Sequence, residues 1–199
     1  MKTYHGIIYL LLFSISACNP LRKEDIPVQN YFFDLPLQTI TLTETGKTLL
    51  VSMPQATSGY DRVEQTYIRT PATLETYNHT QWVDTPARML LPLLVNRLEA
   101  TGKFGAVLSA STASMLGEYR LDTEILRIQQ EFLSPNNQVR FMLRAQLLNM
   151  EHQQIIATRV FEAVAPTNTP DADGGAKAMN QAIATVLQEI TQFVLAHIQ

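Results

Sequence analysis

Alternation of apolar and polar positions predicts a β-sheet in the body of the chain. The clearest run places Val139, Phe141, Leu143, Ala145 and Leu147 on one face, with arginine and glutamine between them. A period of two residues is typical of a strand with one buried face. Shorter runs rich in β-branched and aromatic residues predict further strands at residues 31–35, 48–53, 106–108, 119–128 and 154–164.

A proline turn indicates a β-hairpin in the first half of the chain. Residues 61–69 and 73–79 both favour strands, and Thr70-Pro71-Ala72 separates them. Ser134-Pro135-Asn136-Asn137 and Glu151-His152-Gln153 predict two later turns.

Helical spacing predicts two helices. The first begins at Thr85-Pro86 and ends near Gly102, with Pro92 causing either a kink or a late start. The second follows a polar loop at residues 166–175 and runs to about residue 198. Its apolar stripe comprises Met179, Ala182, Ile183, Val186, Leu187, Ile190, Phe193 and Val194. Because the stripe is one face wide, we expect an α+β two-layer sandwich, a largely antiparallel sheet of six or seven strands with two helices on one face.

The first eighteen residues predict a secretory signal that ends at a lipidated cysteine. Lys2 precedes a seven-residue apolar run at 7–13, which is far shorter than the roughly 20 residues of a membrane-spanning helix. Ile15-Ser16-Ala17-Cys18 resembles the bacterial lipobox, in which the cysteine thiol receives a diacylglycerol. The alternative is an ordinary signal peptide and a buried cysteine. The resemblance implies a signal peptide at 1–17, a lipidated tether at 18–30 and one domain at 31–199.

The anchor also carries a prediction of location. Two or more acyl chains hold a protein stably at a membrane surface. Asn19 follows the cysteine, and by resemblance to the sorting signal of enteric bacteria it implies the outer membrane rather than the inner one.

Composition and motifs argue against several classes of function. Fifteen Lys and Arg against eighteen Asp and Glu give a net charge of −3, so a nucleic-acid partner is not expected. One cysteine excludes an intramolecular disulfide framework and multi-cysteine metal sites. The histidines lack metal-binding spacing, and no nucleophile elbow or phosphate loop occurs. We therefore expect no enzymatic activity, no metal and no cofactor.

One segment concentrates residue types that anchor protein interfaces. Tyrosine, tryptophan and arginine dominate such contacts. The candidates for partner contact are Tyr60, Arg62, Tyr67, Arg69, Tyr77 and Trp82. Alternatively, the aromatic residues of this segment cover the sheet edge and the core.

The same segment contains a wider pattern of Tyr60-Asp61-Arg62, Tyr67-Ile68-Arg69, Leu74, Tyr77, Trp82 and Pro86, followed by a leucine-rich helix. This pattern resembles the ABC-type transport auxiliary lipoproteins, which accompany mammalian-cell-entry (MCE) type lipid transporters, including the paraquat-inducible systems. Residues 31–35 match the family's opening strand loosely, and Ala178 to Ala184 match its alanine-rich closing helix. Pro92 within the first helix departs from the family pattern.

The resemblance implies a lipoprotein on the periplasmic face of the outer membrane of a Gram-negative bacterium. It would assist an MCE-type ABC system that moves phospholipid or other hydrophobic molecules between the membranes, with an MCE-domain protein as partner. Homo-oligomerisation stays open, as do the transported molecule and the direction of transport. The alternative is an envelope assembly or enzyme-activating lipoprotein that docks on another machine. A third hypothesis, a periplasmic ligand carrier, requires an apolar cavity.

Overall fold

The computed structural model describes residues 26–40, 46–110, 117–133 and 137–198. These residues contain nine strands and two helices. The strands are β1 (Gln29–Tyr31), β2 (Thr48–Val51), β3 (Gln55–Ala56), β4 (Glu64–Ile68), β5 (Glu75–Trp82), β6 (Ala106–Ser109), β7 (Tyr119–Glu131), β8 (Gln138–Asn149) and β9 (Gln154–Pro166). The helices are α1 (Pro86–Glu99), between β5 and β6, and α2 (Ala172–His197), after β9. The predicted signal peptide at 1–17, Cys18, the part of the predicted tether up to residue 25, and residues 134–136 of the predicted turn at 134–137 lie outside the described residues.

The long strand β7 organises the sheet. Along one edge it pairs in parallel with β2, β3 and β4 in succession, and along the other it pairs antiparallel with β8. Beyond β8 lies β9, and β6 lies beyond β2. β5 and then β1 extend the sheet from β4. One continuous mixed sheet results.

The α+β class is confirmed, but the prediction of a largely antiparallel sheet of six or seven strands is wrong. Among the described residues the sheet has nine strands, and five of its eight pairings are parallel. Hairpin signals reveal only antiparallel neighbours, whereas parallel neighbours are joined through long connections. The two-residue strand Gln55–Ala56 is too short for any period to indicate it.

Both helices contribute to one hydrophobic core. α2 packs across β8 and β9, while α1 contacts α2, β2, β3 and β6. The predicted strand face is buried as expected, and so is every residue of the predicted stripe of α2. The predicted hairpin is also confirmed, because β4 and β5 pair antiparallel.

The ends of several elements differ from the sequence prediction. α1 begins at Pro86 and continues through Pro92, which is exposed, so a start near Pro92 is wrong. β1 ends at Tyr31, where the predicted strand began. α2 begins at Ala172 rather than after Gly175, because Asp171 caps it by accepting the Gly174 N–H at 2.8 Å.

Close packing at the start of α2 explains why glycines stand inside a helix. A Cβ at Gly174 would lie 2.4 Å from the backbone oxygen of Thr169, and a Cβ at Gly175 would lie 2.2 Å from Oε1 of Gln130. Glycines in a polar segment normally indicate a loop. Here they lie inside the helix and let Thr169 and Gln130 approach its backbone closely.

Gly174→Ala is expected to lower the free energy of unfolding by about 1–3 kcal/mol, the usual effect of overpacking. Helix propensity alone predicts a gain of up to about 1 kcal/mol for the same change. Urea denaturation shows whether the substitution lowers or raises the free energy of unfolding. Gln181→Ala, on the exposed face of α2, is the control and should change stability by less than about 0.5 kcal/mol. A stabilised Gly174→Ala variant would contradict the close approach.

Candidate partner-contact surface

Aromatic side chains cluster where β4 and β5 meet the end of β7. The rings of Tyr67 and Tyr77 lie 4.6 Å apart, and Phe132 packs edge-on against Tyr67 at 5.7 Å. Arg69 and Glu75 flank this cluster, and all five residues are exposed or half-buried. We call these five residues, Tyr67, Arg69, Glu75, Tyr77 and Phe132, the hairpin end.

The hairpin end is fixed to the start of α2 through a buried glutamine. The Tyr77 hydroxyl donates a hydrogen bond to Oε1 of Gln130 at 2.9 Å, and Gln130 contacts Gly175. Burial, with a smaller contribution from the negative charge of Asp171, raises the pKa of the Tyr77 hydroxyl, which therefore stays protonated and donates. The aromatic cluster is thus held in place by the core.

Arg69 gives the hairpin end a charged group in solvent. Its Nε lies 2.9 Å from Oε1 of Glu75, and its guanidinium lies 5.6 Å from the centre of the Tyr67 ring. The bond from Arg69 lowers the pKa of the Glu75 carboxyl. The Arg69 side chain is 63% exposed, so a partner can reach it without unfolding the hairpin.

Tyr60 lies on the opposite face of the sheet. Its hydroxyl donates to Oε1 of Gln129, and it lines a groove of about 280 Å³ together with Ile68, Leu74 and Arg127. Arg62 is exposed in the segment before β4. The six candidates from the sequence therefore do not form one surface.

Trp82 belongs to the core and not to a contact surface. It is 4% exposed and packs edge-on against Phe33 at 5.2 Å between ring centres. Sequence composition cannot separate these two roles, because a tryptophan serves a core and an interface equally well. Composition also gave no reason to select Phe132, Glu75 or Arg127, since their positions depend on long-range pairing.

A polar network on the outer face of the sheet makes stability depend on pH. The buried Glu131 accepts bonds from Arg140 Nε at 2.7 Å, Gln138 at 2.8 Å and Gln129 at 2.9 Å. Burial acts to raise the pKa of Glu131, but these bonds outweigh it and the pKa is lowered from 4.5. The stabilisation is therefore present above about pH 4.5 and is lost as pH falls through the lowered value.

The melting temperature of the wild type should fall as the pH drops below about 4.5. This fall is expected to be smaller in Glu131→Gln, which has no carboxyl group to protonate at this position. Thermal melting measured from pH 7 downward tests this expectation. Glu151→Gln, in an exposed turn, is the control. Parallel profiles for wild type and Glu131→Gln would show that Glu131 does not carry the pH dependence.

The described residues offer no group of three His, Cys, Asp or Glu side chains that could hold a metal ion. Within the same residues, neither helix is long and apolar enough to cross a bilayer.

Comparison with known proteins assigns the family. The model for the ABC-type transport auxiliary lipoprotein component matches residues 33–191. No curated protein sequence matches the chain significantly.

Solved structures share the fold. Protein XCC0632 from Xanthomonas campestris superposes with a TM-score of 0.74 at 24% identity, covering 85% of this chain and 96% of that one. An uncharacterised protein gives 0.67 at 16% identity, covering 84% and 99%. The hypothetical protein CT253 from Chlamydia trachomatis gives 0.54 at 12%, covering 77% and 98%. The family model spans most of the chain, and we conclude that the chain belongs to the ABC-type transport auxiliary lipoprotein family.

Proposed function

We propose that the chain is the outer-membrane-anchored, periplasmic component of an MCE-type ABC system that moves phospholipid or other hydrophobic molecules. Its role in this proposal is to bind the MCE-domain protein and hold it at the membrane, without catalysis. The family is one of transport auxiliary lipoproteins, and ATP hydrolysis would belong to another subunit.

The observation that carries this proposal is the hairpin end. It presents two tyrosines and an exposed arginine on a hairpin that the core holds rigid. Rigid aromatic and arginine side chains are the usual anchors of protein interfaces, because little conformational entropy is lost when they bind.

Binding and stability should respond differently to changes at the hairpin end. Arg69→Ala is expected to keep the melting temperature, because an exposed ion pair contributes only about 0–1 kcal/mol. Arg62→Ala, at an exposed position outside the hairpin end, is also expected to keep it. Loss of one interface anchor typically costs 2 kcal/mol or more, roughly thirtyfold in affinity. Tyr67→Ala should lower both the affinity for the partner and the melting temperature, since the Tyr67 ring packs on Tyr77 and Phe132.

Co-purification with the MCE-domain protein, paired with thermal melting, measures both effects. Arg88→Ala is the matched control, because Arg88 lies on α1, is 68% exposed and pairs with Asp84 just before that helix, outside the hairpin end. Normal binding by all three variants would move the interface elsewhere, first to the loop at 167–171. Capture of a machine without an MCE domain would favour the alternative of an assembly or enzyme-activating lipoprotein.

The lipid anchor depends on Cys18 alone. Cys18→Ala is expected to abolish lipidation and leave an uncleaved precursor, and globomycin should cause the acylated precursor of the wild type to accumulate. Incorporation of radiolabelled palmitate, followed by separation of the two membranes, measures the anchor and its location. Wild-type protein without label, or label found in the inner membrane, would contradict this part of the proposal.

The free edge of β9 is where we propose that a second copy adds. Among the described residues β9 pairs only with β8, and its outer face exposes Ile156, Val160 and Val164. Antiparallel pairing of two copies about Val160 would place the two Val160 side chains opposite each other and Thr158 opposite Glu162. Apolar groups would then meet apolar groups, and a hydroxyl would meet a carboxylate.

Val160→Glu is expected to prevent this pairing, because two carboxylates would face each other across the symmetry axis. Arg144 lies opposite Val160 on β8, so the new carboxylate has a cation beside it within the monomer. Light scattering after size exclusion measures the mass. Val83→Glu, at another exposed valine, is the control. A monomeric wild type at high concentration would contradict the pairing.

A further inference from the structure

An apolar pocket lies at the end of α2 that is remote from the hairpin end. α2 has 26 residues, so its two ends are separated by about 39 Å. Leu195 and Ile198 contribute the helix side of the pocket. The segment after α1 and the beginnings of β2 and β7 contribute the rest. We call this site the end pocket, and it is lined by Lys47, Lys103, Phe104, Tyr119, Leu195 and Ile198.

The floor of the end pocket is apolar and preformed. Phe104 and Tyr119 are 5% and 4% exposed, and Leu195 and Ile198 pack against the core cluster. The pocket has a volume of about 340 Å³ and opens to solvent. Small-molecule sites begin at about 300 Å³, and apolar walls with a few polar groups are typical of them. One alkyl chain suits this volume better than two.

Two lysines supply positive charge beside these apolar walls. Lys47 lies 5.2 Å from the centre of the Tyr119 ring and donates a hydrogen bond to the Tyr119 hydroxyl at 3.3 Å. Lys103 is exposed at the rim. None of the six lining residues is acidic. Nearby Glu118 accepts the backbone N–H of Thr48 at 2.7 Å.

The two ammonium groups at the rim can donate charge-assisted hydrogen bonds to an anion. The last turn of α2 carries a partial negative charge equivalent to roughly half an elementary charge, and Glu118 adds a second negative group nearby. The attraction for an anion therefore comes from direct contact with the ammonium groups and not from the net charge of the site. A ligand with an alkyl chain and a negative headgroup would bury its chain against Phe104 and Leu195 and place its headgroup between the lysines.

We propose that the end pocket binds a single-chain anionic amphiphile, either a fatty acid or a lysophospholipid with a phosphate headgroup. This inference rests on the proposed transport function and names the chemical class of molecule handled by this chain. The hairpin end and the end pocket would then divide partner binding and ligand binding between the two ends of one helix.

Photo-crosslinking of the full-length chain tests the site. The chain is purified in a neutral maltoside detergent and irradiated with dodecanoate that carries a diazirine and an alkyne. We expect the label on peptides containing Phe104, Leu195 or Ile198. Labelling should fall about tenfold in Lys47→Gln/Lys103→Gln, because two charge-assisted contacts are removed. Lys177→Gln, in an exposed ion pair at the other end of α2, is the control and should label normally.

Competition identifies the headgroup. Unlabelled dodecanoate and the lysophosphatidate of equal chain length should each displace the probe. The stronger competitor shows whether the site prefers a carboxylate or a phosphate headgroup. Dodecanol at equal concentration should not displace it. Equal competition by dodecanol, label spread over the sheet, or undiminished labelling of a double lysine variant with a normal melting temperature would each overturn the site. Leu195→Trp, which fills the pocket, should also reduce labelling.

The two proposals can fail separately. The crosslinking uses the chain without an MCE-domain partner, so its failure would remove the ligand site and leave the co-purification result standing. Failure of partner capture with specific labelling retained would instead favour a ligand carrier over a transport component.

Discussion

Trp82→Ala is expected to lower the free energy of unfolding by about 3–5 kcal/mol, the usual range for truncation of a buried tryptophan. The side chain is 4% exposed and packs against Phe33, which connects the segment after β1 to the core. Its removal leaves a cavity between β5 and that segment. A stability of 5–15 kcal/mol is normal for a domain, so the variant should be severely weakened.

Val83→Ala provides the matched control for Trp82→Ala. Val83 is the next residue and is 56% exposed, and its backbone N–H, which bonds to Tyr31, is unchanged by the substitution. It should change stability by less than about 0.5 kcal/mol. Urea denaturation of both variants gives the comparison. A Trp82→Ala variant that melts normally but no longer binds its partner would restore Trp82 as a contact residue.

Leu187→Ala is expected to cost about 2–5 kcal/mol. Leu187 is 1% exposed on the face of α2 that packs across β8 and β9. The cost depends on how far the neighbouring side chains can move into the space that the substitution leaves. Ile183 and Ile190, one turn away on either side, are themselves fully buried and leave little room for such collapse.

Gln188→Ala tests whether the effect depends on the face of the helix. Gln188 follows Leu187 directly but is exposed, so its substitution should change stability by less than about 0.5 kcal/mol. Equal losses from the two substitutions, measured by chemical denaturation, would contradict the docking of α2 on the sheet.

Elements with a strong local period could be predicted from the sequence. The strand through Phe141 and Leu143 and the stripe through Ile183 and Leu187 both follow from side-chain spacing, because one buried face imposes that spacing. The β4–β5 hairpin followed from its proline turn. The family was indicated by scattered tyrosine, arginine and tryptophan residues, and the family model confirms it.

Features that depend on distant pairing could not be predicted. β2, β3 and β4 pair in parallel with β7. Their direction depends on long connections between the strands, and such connections produce no repeating pattern of apolar residues in the sequence. The sequence predicts too late a start for α2, because Gly174 and Gly175 are typical loop residues. Thr169 and Gln130, which leave no room for a Cβ at these positions, come close to them only in the fold.

The candidate site was only partly predictable for the same reason. Tyr67, Arg69 and Tyr77 meet at the hairpin end, but Trp82 lies in the core and Tyr60 on the other face. A composition argument counts residues along the chain, whereas a surface depends on the face each strand position occupies. Phe132 joins the cluster across more than 50 residues of sequence, which no local pattern reveals.

The central claim is that the hairpin end contacts an MCE-domain protein while the chain is anchored in the membrane. A photoreactive amino acid placed at Arg69 in cells tests it most directly, with Gln188 on the exposed face of α2 as the control position. The account predicts a crosslink to the MCE-domain protein from position 69 and none from position 188. No crosslink at position 69, or equal crosslinks at both positions, would contradict it.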